Sequence, residues 1–78
     1  MIIMSADRTV AVNSNQVQYF LIGVFSEGNK IIFRLMAQIS DTTRISLKEY
    51  DSIKDAQNYF SRLVNILGDE YNGVEVVQ

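Results

Sequence analysis

The chain has 78 residues, 47% of them apolar, with seven basic and nine acidic side chains for a net charge of −2. That length makes a single domain, residues 1–78, and an acidic balance without a basic stripe argues against a nucleic-acid binder. With neither cysteine nor histidine there is no disulfide, no thiolate, and neither the commonest metal ligand nor the commonest general base.

A domain of this size buries only about 60–65% of the surface its unfolded chain exposes. Small domains compensate with disulfides, metals or oligomerisation, and here only oligomerisation remains. The opening Met1-Ile2-Ile3-Met4 is too short and uncharged for a secretory signal, and no apolar run reaches the length of a membrane span. A soluble, cytoplasmic protein with no membrane partner is the expectation.

In chain order, Ile2 to Met4 is a short apolar run, Ser5-Ala6-Asp7 a turn, and Arg8 to Val12 a β-branched segment able to pair back as a small hairpin. Asn13 to Gln16 is a turn cluster, because Asn and Ser side chains bond their own backbone. Val17 to Phe25 and Lys30 to Ile39 form two long strands. They are joined at Glu27-Gly28-Asn29, where Gly28-Asn29 supplies the positive φ of a tight hairpin. Ser40 to Thr43 turns the chain into a third strand, Arg44 to Tyr50. Connections this short permit only an antiparallel meander.

Ser52, with Asp55 three residues on, opens a helix. Ile53, Ala56, Phe60, Leu63, Val64 and Leu67 fall on one helical face, while Lys54, Asp55, Asn58, Ser61, Arg62 and Asn65 fall on the other. Gly68 stands where a left-handed cap belongs. Asp69 to Gly73 is a loop with an Asn72-Gly73 turn signal, and Val74 to Val77 is a short last strand. The fold class is therefore α+β: an antiparallel β-meander of about four to five strands, packed on one face by a single C-terminal amphipathic helix.

The hairpin turn fixes a register. Phe20, Ile22 and Val24 share a face with Ile31, Phe33, Leu35, Ala37 and Ile39, and Ile45 and Leu47 can join it. That wholly apolar face is the one for the helix. The second face carries Val17, Tyr19, Leu21, Gly23 and Phe25 beside Ile32, Arg34, Met36 and Gln38, extended by Ser46, Lys48 and Tyr50. A solvated face alternates toward polar residues, and this one does not. Tyr19, Leu21, Phe25, Ile32 and Met36 need a cover. The candidates are the N-terminal strands or the C-terminal tail, a second copy of the chain, or a partner or ligand.

The carboxylates Glu49, Asp51 and Asp55 gather at the strand-to-helix junction and suit capping, and Asp69-Glu70 suits a solvated turn. Neither group has the spacing of a cation loop. No phosphate-binding glycine loop and no nucleophile elbow occurs, so no enzyme, cofactor or metal is expected. Arg34 lies beside Gly23 in a neighbourhood with Tyr19, Gln38, Lys48 and Tyr50. Arginine with tyrosine suits an anionic planar ligand or a protein interface, and an Arg stem packing across the sheet explains it equally.

Three stretches carry a resemblance: Met1-Ile2-Ile3-Met4-Ser5 with Asp7; Val12-Asn13 with Val17 and Ile22; and Leu47, Glu49-Tyr50-Asp51-Ser52 with Ala56. Together they resemble a group of small uncharacterised proteins of Gram-positive bacteria and their phages. The resemblance implies a phage or mobile-element setting and no functional residue. The expected function is a non-catalytic, homo-oligomeric binding protein engaging a host protein. The alternative is a small-ligand protein that sequesters a nucleotide signal through an Arg/Tyr site on the second face or a subunit interface. Tyr19, Leu21, Phe25, Ile32, Arg34, Met36, Lys48 and Tyr50 are the candidate residues.

Overall fold

A computed structural model describes residues 1–69 and 73–78. The fold is α+β, with strands β1 (Ile2–Met4), β2 (Ala11–Asn13), β3 (Tyr19–Glu27), β4 (Lys30–Gln38) and β5 (Arg44–Tyr50). Helix α1 (Ile53–Gly68) and strand β6 (Val74–Val76) complete it. The strands divide between two sheets: β3-β4-β5 is the antiparallel meander, and β2-β1-β6 is a small mixed sheet. In the mixed sheet β1 pairs antiparallel with β2 and parallel with β6. Asn72 of the anticipated Asn72-Gly73 turn lies outside the described residues.

The β1–β2 hairpin forms as expected, but β2 starts at Ala11 rather than Arg8. The connecting loop winds around two side chains. Asp7 Oδ1 accepts from Ser5 Oγ (2.7 Å), Thr9 Oγ1 (2.7 Å) and the Thr9 N–H (3.1 Å). Ser5 Oγ in turn accepts from the N–H groups of Thr9 (3.2 Å) and Val10 (3.1 Å). These local bonds compete with strand pairing and keep residues 8–10 in the turn. Arg8 takes φ of 62° within it, a left-handed conformation that costs a non-glycine residue about 1–2 kcal/mol.

The long hairpin has the expected register throughout, from Tyr19↔Gln38 to Glu27↔Lys30. Gly28, with φ of 59°, takes the first central position of the two-residue turn. Between β4 and β5 the register breaks. Leu35 pairs with Lys48 but Met36 pairs with Ser46, so Leu47 is an extra residue on β5. Such a bulge reverses the facing of every residue beyond it. Leu47 turns into the core, where it is almost completely buried.

The helix starts as the sequence predicts. Ser52 is the N-cap, its side chain accepting from the Asp55 N–H at 3.4 Å. Its end differs: Gly68 continues the helix, and Asp69, in an extended conformation, is the cap. Ala56, Tyr59 and Leu63 are its buried residues, whereas Ile53 and Val64 are exposed. The buried stripe is therefore rotated toward Tyr59, because the helix packs on both sheets. Ile3, Val12 and Val77 meet Leu35, Ala37, Leu47, Tyr50, Ala56, Tyr59 and Leu63 in one core. The N-terminal strands and the C-terminal tail thus share the core beneath the helix. The Ala6 N–H donates to the Leu47 carbonyl at 2.9 Å, which ties the N-terminal loop to β5.

The hydrogen bonds from Thr9 and Ser5 hold the Asp7 carboxyl down at about 2. A depressed carboxylate contributes its stabilisation in full above its unfolded pKa of about 3.9 and loses it as pH falls toward the folded value. Urea midpoints of the wild type and Asp7→Asn should therefore differ most near neutral pH and converge between about pH 4 and pH 2. A difference that stays constant down to pH 2 would show that the Asp7 charge does not hold the loop.

Candidate interaction surface

The second sheet face closes largely on itself. Gly23 leaves a gap opposite Arg34, and the Met36 methyl and the Phe25 ring edge lean into it; a Cβ at Gly23 would collide with both. The Arg34 guanidinium lies 4.6 Å from the centre of the Phe25 ring. It also bonds Glu49 across the strand pair at 3.2 Å. Farther along the same face, Lys30 pairs with Asp51 at 2.8 Å. Ile32 lies between these two cross-strand ion pairs, opposite Phe25, and is completely buried. Both pairs are substantially exposed, so solvent screens them and each adds little stability. Their larger effect is to lay the arginine and lysine stems over apolar surface.

The eight candidate residues therefore separate. Tyr19, Leu21, Phe25, Ile32, Arg34 and Met36 do share the second face. Of these, Ile32 and Met36 are buried, Leu21, Phe25 and Arg34 are half-buried, and only Tyr19 is largely exposed. Lys48 and Tyr50 do not belong with them. The Leu47 bulge carries both to the helix side and brings Glu49 to Arg34 instead. Gln38, also on that face, is buried; its amide nitrogen donates to the Ser40 carbonyl and its oxygen accepts from Arg44 Nε at 2.7 Å.

On the helix side, Lys48 and Tyr50 join Asp55, Asn58, Tyr59, Arg62 and Gln78 around an open depression of about 400 Å³. Its groups already bond one another. Tyr50 Oη donates to the Gln78 carbonyl (2.7 Å), Tyr59 Oη donates to Glu75 (2.7 Å), and Arg62 donates to the Gln78 side chain (2.9 Å). Lys48 Nζ sits 4.9 Å from the Tyr50 ring centre. Burial raises the Tyr50 phenol to about 12. Burial, then the bond to Glu75, pushes Tyr59 higher still. Both phenols are therefore neutral donors at ordinary pH and no general base. Sequence periodicity missed Tyr59 because its hydroxyl marks it as polar, while its ring fills the core and its Oη reaches β6.

The exposed apolar surface lies elsewhere. Val24 (62% exposed), Ile31 (57%), Ile53 (43%) and Val64 (52%) are open on the helix side of the meander, Tyr19 (51%) is open on its other face, and Val74 and Ile2 are exposed in the mixed sheet. Tyr59 and Arg62 occupy the helix flank turned to β6 and the C-terminal tail. At about 100° per residue, Ile53, Phe60 and Val64 fall on the opposite flank, above β3. The strand order places β3 at the edge of its sheet. Val24 and the flank of α1 thus border one long unpaired strand edge. Among the described residues no group of three acidic or other metal-ligating side chains gathers, and no helix is long and apolar enough to cross a membrane.

No family model, no curated protein and no solved structure matches the chain.

The closure over Gly23 makes a direct prediction. Gly23→Leu displaces Met36 and Phe25 together and should cost about 1–3 kcal/mol by overpacking, read from the shift in urea midpoint. A variant as stable as the wild type would mean that the second face is open and able to take an added side chain.

Proposed function

We propose that the protein is a non-catalytic binding protein that acts as a homo-oligomer and engages a protein partner. The observation that supports this reading is the exposure of Val24, Ile31, Ile53 and Val64 around one edge of the sheet in so small a domain. Large apolar side chains left exposed on one side of so small a domain favour an interaction surface. The chain has neither histidine nor cysteine, and its buried tyrosines are held neutral, which favours binding over catalysis. The resemblance to small proteins of Gram-positive bacteria and their phages favours a host protein as the partner. Sedimentation velocity should give a mass above that of one chain at micromolar concentration. A single monomeric species at several hundred micromolar would refute the oligomer.

A second reading, a small-ligand protein for an anionic nucleotide, moves from Arg34 to the depression between β5 and α1. Arg34 is engaged by the Glu49 carboxylate, whereas Lys48 and Arg62, the one over the Tyr50 ring and the other on the neutral Gln78 amide, line the depression with two tyrosines. Cations beside aromatic rings suit a planar anion. On this reading, nucleotides or cyclic dinucleotides raise the melting temperature, and Arg62→Ala abolishes the shift. No shift across the series excludes it.

A further inference from the structure

We infer that β3 is the seam of a homodimer, pairing antiparallel with β3 of a second copy about a two-fold axis at Ile22. This rests on the homo-oligomer reading above and names its interface.

The two edges of the meander are built differently. The β5 edge carries the bulge at Leu47, the charged residues Arg44, Lys48 and Glu49, and a hydrogen bond from Ala6 to the Leu47 carbonyl. Bulges, charges and covering loops are the devices that keep a sheet edge from pairing. Among the described residues the β3 edge has none of them. Tyr19 to Ser26 contains no charge, proline or bulge, and all nine residues of β3, Tyr19–Glu27, pair with β4 without interruption.

The hydrogen-bonding parity suits a self-pairing. Residues of an antiparallel ladder alternate between bonding inward and outward. Counted from the two-residue turn that Glu27 and Lys30 close, the N–H and C=O groups of Phe20, Ile22 and Val24 point to the outer edge. A two-fold axis at Ile22 aligns Ile22 with itself and Phe20 with Val24 of the partner, so outward groups meet outward groups. On the helix side the cross-strand pairs are then Phe20–Val24 and Ile22–Ile22. On the other face, Tyr19 meets Phe25 of the partner and Leu21 meets Gly23. Every pair is apolar or aromatic, large faces small at Gly23, and Glu27 stays clear of its own copy.

The axis is perpendicular to the sheet, so both helices lie on the same side of a continuous six-stranded sheet. The flanks bearing Ile53, Phe60 and Val64 then face one another across the seam. A stable specific pair buries at least about 1,200 Å² in total, so the helix flanks contribute to the seam beside the two strands. The seam covers Val24 and Tyr19 and brings Val64 to its rim, while Ile31 on β4 and Ile2 and Val74 in the mixed sheet lie outside it.

Sedimentation equilibrium of four proteins tests the seam. The wild type should dimerise. Val24→Lys places two lysines in the seam, and Val24→Pro removes an outward N–H without touching the β4 ladder. Each should raise the dissociation constant on the order of a hundredfold, with native far-UV circular dichroism. Ser46→Lys, on the opposite edge strand, should leave it unchanged. If Val24→Pro loses its fold, Val24→Lys decides. A monomeric wild type overturns the seam and the oligomer reading together. An oligomer that survives both Val24 variants overturns the seam and leaves the oligomer reading standing. The register has its own test, because the chain has no cysteine. Ile22→Cys should cross-link two chains on oxidation, since its Cα atoms fall within disulfide range across the axis. Val24→Cys should not, and cross-linking at Val24 but not at Ile22 overturns the placement of the axis.

Discussion

The single extra residue at Leu47 is the constraint on which the rest of the fold depends. It inserts a leucine into the core between the two sheets, and its carbonyl receives the Ala6 N–H. Beyond it, β5 is turned over. Glu49 comes to the face where Arg34 needs a carboxylate, and Tyr50 comes to the face where its hydroxyl reaches the Gln78 carbonyl. An uninterrupted β5 would place Lys48 opposite Arg34 and Tyr50 opposite Ile32, and leave the C-terminal tail without that anchor. One bulge thus couples the meander, the mixed sheet and the tail to the same strand, and it does so at the edge where a pairing strand would otherwise dock.

The same asymmetry organises the surface. Polar and charged residues are spent on closing the second face and the β5 edge: Arg34 with Glu49, Lys30 with Asp51, Gln38 with Arg44. Nothing comparable is spent on β3. The helix is offset toward the mixed sheet because Tyr59 and Arg62 bind Glu75 and Gln78 there. That offset leaves Ile53 and Val64 uncovered on the β3 side. The exposed apolar strip is therefore a consequence of where the helix is tethered.

Much of this architecture was legible in the sequence. The two-residue glycine turn at the centre of 19–38 determined the register of the long hairpin, because a one-residue slip would mix Arg34 and Gln38 into the wholly apolar face. Ser52 and Asp55 marked the helix start for the same reason that they stabilise it. What was hidden depended on contacts distant in sequence. The bulge leaves no local signal, since Ser46-Leu47-Lys48 alternates well enough to continue a regular strand. Tyr50 and Lys48 were consequently assigned to the wrong face. Gly68 looked like a left-handed cap, yet the helix runs through it. Arg8 to Val10 had strand composition, but Asp7 and Ser5 bond its backbone into the turn. The second face looked uncovered because binary patterning cannot foresee that Phe25, Met36 and the Arg34 stem would fold over Gly23. The apolar residues left exposed are instead mostly on the face assigned to the helix.

Amide hydrogen exchange across β3 as a function of protein concentration tests the account most directly. The account predicts that the amides of Phe20, Ile22 and Val24 are protected at high concentration and become exchangeable on dilution, while those of β4, already inside the sheet, keep their protection. Exchange at those three β3 amides that is fast and independent of concentration would contradict it.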